Sequence, residues 1–254
     1  MPMIRLNRWL LGAAFFSQII LGSHNVMAAN ADKPANNATF KTAALSSATS
    51  IAQQTRLQST LAKLAPNANP QVMRLAARAL ACAQPDAERL AVIDFSLPST
   101  EQRLWVFDLK RQKLLFKELV SHGQGSGNAV AESFSNIPES HQSSIGLFRT
   151  LNSYHGRNGY SLRLKGLEAG INDQAYQRAI VIHGADYVSE NFIERTGRLG
   201  RSHGCPAVRQ EVAIKLIDSL KENQYLFTYY PDPEWLATSE FLSCQRTDAR
   251  LAMK

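Results

Sequence analysis

The chain has 254 residues, of which 44% are hydrophobic and 19% charged, enough apolar content for one packed domain with extensions and too much for a disordered chain. Its formal charge is +7, or 26 basic against 21 acidic residues once Arg5 and Arg8 are set aside with a segment expected to be removed. That mild excess favours an acidic partner, and three cysteines are too few for a dense disulfide framework.

Residues 1–9 carry Arg5 and Arg8 and no acid, residues 10–22 are mostly apolar, and Val26-Met27-Ala28 offers a cleavage point. Residues 1–28 therefore read as a secretory signal peptide. The apolar run is shorter than the roughly 20 residues that span a bilayer, and Gln18 interrupts it, so no stable membrane anchor is expected after cleavage. Export to a periplasm or beyond excludes nucleic acid as a partner. Residues 29–50, rich in Ala, Asn, Ser and Thr, read as a flexible leader.

Leu57, Leu61 and Leu64, then Val72, Leu75, Ala76, Ala79 and Leu80, follow helical spacing, with Pro66 and Pro70 between the two pieces. Residues 51–88 are thus expected to be a helical N-terminal extension covering one side of a main domain over 89–254. Strand patterns follow at 91–95, and at 104–107 and 114–116 as a hairpin whose second arm ends at Val120. The glycine-rich run 121–127 lacks dinucleotide-loop spacing and has no helical pattern after it, so it reads as a mobile or tightly turned loop beside a site. Short alternation marks 143–148 and 160–164, and Ala179-Ile180-Val181-Ile182-His183-Gly184 reads as a buried strand halting at a glycine, with His183 at its end. Val212, Ala213, Leu216, Ile217 and Leu220 predict an amphipathic helix, after which a tail with Pro231 and Pro233 wraps towards Cys244.

In an oxidising compartment the three cysteines allow three pairings. Cys82 in an apolar helical stretch and Cys244 near the C-terminus suggest a bridge that leaves Cys205 free; Cys82 as a small buried apolar residue is the competing reading. Cys205 has what a nucleophile needs, since the thiolate attacks and requires a base or positive surroundings. His183 lies 22 positions upstream, and Pro206 suits the first turn of a helix whose dipole would favour thiolate. Gly204 removes bulk, so that the N–H groups of Gly204 and Cys205 could serve an oxyanion. His183 is expected to be the base and His203 to support it, while His122, His141 and His155 read as loop or surface residues. His183, His203 and Cys205 are also possible zinc ligands, but two of them bracket only Gly204 and no other Cys or His pair has ligand spacing, so neither metal nor cofactor is expected.

His183, separated by the eighteen residues 184–201 from Ser202-His203-Gly204-Cys205, resembles the signature of the L,D-transpeptidases. Ser121-His122-Gly123, residues 143–148, Gly159-Tyr160-Ser161-Leu162 and residues 180–185 extend the likeness to the second branch of murein L,D-transpeptidase catalytic domains, over residues 90–230. Many members follow the Cys with an apolar residue and an Arg, where this chain has Pro206-Ala207-Val208 and reaches Arg209 later. The resemblance implies an α+β, mainly β fold: an L,D-transpeptidase-like β-sandwich with an amphipathic helix after the catalytic Cys and short N-terminal helices. It implies a cysteine acyltransferase on peptidoglycan stem peptides, with Arg201 holding a substrate carboxylate, Arg198 in reserve, Ser202 and Tyr160 on the substrate side, and the loops at 123–127 and 187–198 as lids. A hydrolytic relative would use the same catalytic pair, and a wall-binding module is the non-enzymatic alternative. Oligomeric state and acceptor stay open.

Overall fold

The computed structural model describes residues 37–83 and 87–244. The expected signal peptide at 1–28 and the start of the expected leader, to residue 36, lie outside the described residues. From Asn37 the chain is helical: α1 spans Asn37–Leu64 and α2 spans Pro70–Ala83. The leader reading thus differs from the structure over 37–50, where good helix formers such as Ala43, Ala44 and Ala48 extend the helix that Leu57 and Leu61 anchor, propagation being easier than nucleation. Pro70 opens α2 and the Asn69 carboxamide oxygen accepts from the Gln71 N–H, a start that satisfies an otherwise orphaned donor. No helix among the described residues is long and apolar enough to cross a membrane.

Eight strands follow: β1 (Arg89–Asp94), β2 (Leu104–Asp108), β3 (Lys113–Glu118), β4 (Gly146–Gly156), β5 (Gly159–Gly166), β6 (Val181–Gly184), β7 (Ala207–Val208) and β8 (Tyr225–Tyr229). Between them lie α3 (Glu190–Thr196) and α4 (Gln210–Leu220), and α5 (Pro233–Thr238) and α6 (Glu240–Ser243) follow the last strand. The strands make one sheet in the order β3-β2-β1-β8-β4-β5-β6-β7, with β1–β8 and β6–β7 parallel and the other pairs antiparallel. The fold is α+β and mainly β with several helices, as expected. The eight strands form one continuous sheet, and an isolated antiparallel bridge between Val120 and Val208 links the segment after β3 to the opposite edge. Tyr225–Tyr229, which the sequence reading passed over as tail, is the central strand β8 between β1 and β4.

Alternation along the strands sorts two cores. Leu90 and Val92 of β1, Trp105 and Phe107 of β2, and Phe227 of β8 face α1, α2, Trp235 of α5 and Leu242 of α6. Ala91, Ile93, Leu104, Val106 and Leu226 face the other way, onto Leu162, Ile182 and the apolar side of α4, Ala213, Leu216, Ile217 and Leu220. Both faces being buried, the strands read as continuous apolar runs. A disulfide joins Cys82 of α2 to Cys244 just after α6, Cα–Cα 5.4 Å, and Cys205 is free.

Candidate active site

Register places His183. On β5 Ser161 lies opposite both Tyr154 of β4 and His183 of β6, so Tyr154, Ser161 and His183 form a row on one face of the sheet. Tyr160, one residue before Ser161, falls on the other face, where its hydroxyl is bonded to Asp218 of α4 at 2.7 Å and to Ser153 at 2.9 Å. Tyr160 is therefore a bolt between sheet and helix, and Tyr154 takes the cleft position expected of it. The buried His183 ring donates through Nδ1 to its neighbour's carbonyl, Gly184 O, at 2.8 Å, an assignment that leaves Nε2 as a free acceptor. Burial holds the His183 pKa below the ordinary histidine value, and the bond to Gly184 only partly offsets this.

Parallel pairing of His183 with Ala207 brings Cys205, two residues earlier, level with the start of β6. The Cys205 side of the chain is nearly closed, at 8% exposure, and Sγ lies 3.7 Å from the Ala179 carbonyl as a weak donor. The expected helix N-terminus is not there: Ala207–Val208 is strand β7, and α4 starts only at Gln210. Pro206 instead precedes a short strand, a place that also tolerates its missing N–H. Burial raises the Cys205 pKa, while the Val181 backbone N–H and the charge of Arg178 work against that rise. Both shifts favour the uncharged forms of the thiol and the imidazole.

The turn before Cys205 is held by two hydroxyls. Ser202 Oγ donates to Cys205 O at 2.6 Å and accepts from Gly204 N at 3.1 Å; Ser143 Oγ donates to Gly204 O and accepts from Gly123 N, both at 3.0 Å. The Ser202 hydroxyl is therefore occupied within the turn, although Ser202 lines the cleft as expected, and the Gly204 N–H assigned to the oxyanion is already bonded. The Cys205 N–H has no protein partner among the described residues. Gly204 has φ +114°, and a Cβ on it would lie 2.7 Å from Gln142 O, so glycine is required twice over. The run 121–127 packs against this turn: Ser202 N donates to His122 O, Gln124 N to Ser202 O, and a Cβ on Gly123 would sit 2.8 Å from Gly204 Cα.

Cys205 and His183 open into one cleft of about 610 Å³, also lined by His203, Arg157, Arg178 and Arg201, with Glu139 the one carboxylate lining it among the described residues. Arg201 is fastened by Nη1 to Gly127 O at 2.8 Å and Asn128 Oδ1 at 3.1 Å, whereas Arg198 bonds Leu199 O outside the cleft lining. His203 is exposed at the mouth, stacked on His141 with centroids 4.3 Å apart. His141 thus belongs to the cleft, and His155 is an exposed residue beside Tyr160. His122 is no surface residue: it is wholly buried, its Nδ1 accepts from Arg103 Nη2 at 2.8 Å, and burial with the Arg103 charge lowers its pKa to about 4.

Sequence reasoning passed over Arg178 and Tyr187. Tyr187 lines the cleft, lies against Gly200, and has its pKa raised to about 12 by burial and by Cys205. Its signal was position, four residues after His183 in the expected lid. That lid region contains α3, capped by Ser189 Oγ accepting from Phe192 N and ended by Gly197 at φ +76°. Among the described residues no group of three His, Cys, Asp or Glu side chains could hold a metal ion.

Comparison with known proteins places the same region. The model of the L,D-transpeptidase catalytic domain matches residues 64–229. Among solved structures, an L,D-transpeptidase from Mycobacterium smegmatis is 15% identical, covering 57% of this chain and 59% of that one, TM-score 0.37. The L,D-transpeptidase of Stackebrandtia nassauensis is 14% identical, covering 70% and 77%, TM-score 0.35. The helical cell shape determining protein Pgp2 of Campylobacter jejuni is 12% identical, covering 58% and 48%, TM-score 0.39. The chain spans less than two thirds of the Mycobacterium smegmatis protein, and no curated protein matches it. With the family model running from the end of α1 to the end of β8, and so across His183 and Cys205, the chain belongs to the L,D-transpeptidase catalytic domain family.

Proposed function

We propose that this chain is an exported cysteine L,D-transpeptidase of the periplasm or outer surface, acting on peptidoglycan stem peptides. The observation that carries the reading is the meeting of a free, nearly closed Cys205 and a His183 with open Nε2 in one cleft whose fixed charges are almost all positive. In the reaction Cys205 Sγ attacks the carbonyl of the third-position residue of a tetrapeptide stem, and His183 Nε2 takes the thiol proton. The Cys205 N–H faces the developing oxyanion. Collapse breaks the peptide bond, His183 gives its proton to the departing D-Ala amine, and a Cys205 thioester remains. The amine of a second stem then attacks, losing a proton to His183, and a link between two third-position residues forms with the thiol restored.

The raised thiol pKa and the lowered imidazole pKa both favour proton transfer during attack over a stored thiolate. Arg201 and Arg157 suit the carboxylates that such a stem carries, since guanidinium groups match carboxylate geometry. The N-terminal signal pattern at residues 1–28 supports delivery to the wall. The test is incubation of the protein and of Cys205→Ala with purified disaccharide tetrapeptides, followed by mass spectrometry. Dimers lacking one D-Ala are expected; monomers lacking D-Ala would make the enzyme a carboxypeptidase, and equal products from both proteins would remove Cys205 from the mechanism.

A further inference from the structure

Arg178 sits in the turn that enters β6, one residue before Ala179, whose backbone takes the left-handed φ of +54° and whose carbonyl meets Cys205 Sγ. Its guanidinium is fixed from two sides. Nη1 donates to Ser135 O and to Ser144 Oγ, the latter at 2.6 Å, and Nη2 donates to Gln142 O at 2.6 Å and Ser140 Oγ at 3.3 Å. Nη2 is also 3.4 Å from the point where a Cβ on Gly204 would lie, which puts the charge against the backbone that carries the nucleophile.

All four partners are neutral oxygens. Three arginines of the fold are matched to acids: Arg209 forms a forked pair with Glu118 at 2.8 and 2.9 Å, and Arg89 and Arg111 share Asp108. Arg178 has no carboxylate partner among the described residues, yet it is half withdrawn from water in the wall of the cleft. A desolvated cation without a counter-charge is costly unless an anion forms beside it. Four donors committed to the protein leave little of its fork to grip a substrate carboxylate, so its contribution is charge held in place.

We propose that Arg178 is an electrostatic positioning residue for Cys205, a fixed positive charge that favours the thiolate and the anionic intermediate that follows it. The inference rests on Cys205 being the nucleophile, but its test needs no peptidoglycan. Burial pushes the Arg178 pKa down while the Cys205 side chain pushes it up, the reciprocal of the effect Arg178 has on the thiol.

The experiment follows alkylation of Cys205 by iodoacetamide, read by intact mass between about pH 6 and pH 11, in the full chain with its disulfide intact. In Arg178→Met the inflection should rise by about one pH unit and the rate at neutral pH should fall about tenfold. Arg178→Lys should keep the inflection near that of the parent protein, and so should Ser144→Ala, which removes one bond to the guanidinium and leaves the charge. Arg178→Gln, neutral but still able to donate to a carbonyl, replaces the Met variant should that one not fold. A merely structural role predicts the opposite sign, because a loosened loop would expose the thiol and bring its pKa down. An inflection that falls or stays in the neutral variants therefore overturns the proposal.

Discussion

On the helix-covered face, Glu168 is 3% exposed and accepts from the Leu147 N–H at 2.7 Å, the Trp235 indole at 2.9 Å and the Ser239 hydroxyl at 2.6 Å, so that β4, α5 and the start of α6 share one carboxylate. At the β6–β7 edge, Cys205 and His183 are similarly withdrawn from water, but the His183 Nε2 and the Cys205 N–H have no protein partner among the described residues. The same edge holds Ala179, His141 and Glu139 at positive φ. One region spends its polar groups on holding helices to the sheet. The other leaves polar groups unpaired and holds some backbone strain, as the proposed function requires of a substrate site.

The sharpest way to break that contrast is Glu168→Ala. It strands three donors in a dry site and should cost about 4 kcal/mol in denaturant unfolding, while the pH profile of Cys205 alkylation stays where it is. A profile that moved with it would mean that the two regions are one coupled unit.

His122, behind the turn that carries Cys205, gives a smaller effect read through pH. Burial, with the Arg103 charge, pushes its pKa down to about 4 in the folded chain from an ordinary value of about 6.5, so the unfolded chain takes the proton first. Stability should therefore fall as pH drops from 6.5 towards 4 and level off below, by about 3 kcal/mol from this group. Asp94 and Glu168, whose pKa values burial raises, act in the opposite sense in acid, so the measurement is the difference in pH slope between the parent protein and His122→Asn. A variant with an unchanged slope would show that the Arg103–His122 contact does not hold this ring neutral.

The proposed reacting pair stands out in the sequence because its signal is local: a histidine ending an apolar strand, and a Ser-His-Gly-Cys run at a fixed remove. Partners set by register and turn geometry could not. Tyr160 and Ser161 are neighbours in sequence, but the pleat sends one to α4 and the other to the face that carries Tyr154 and His183, and nothing near Tyr160 says which. Pro206 fits a helix start and a strand start equally well, so the helix that follows was placed too early. The sequence hides the commitments of Ser202 and Gly204, because Ser202 bonds Gly204 N and Cys205 O within the turn and Gly204 O accepts from Ser143, 61 positions away along the chain. Arg178 had no motif to announce it; its place depends on the 135–144 segment folding back over it. The strand at Tyr225–Tyr229 carried a signal, a run of Tyr, Leu, Phe, Thr and Tyr with high strand preference, obscured by the nearby prolines.

The central claim, that Cys205 is the acylated residue, is tested most directly by intact-mass and peptide-level analysis of the protein caught during turnover with a disaccharide tetrapeptide. The account predicts an adduct equal to the stem without its terminal D-Ala, carried on the peptide containing Cys205 and absent from Cys205→Ala. An adduct on any other residue, or turnover by Cys205→Ala at the parent rate, would contradict it.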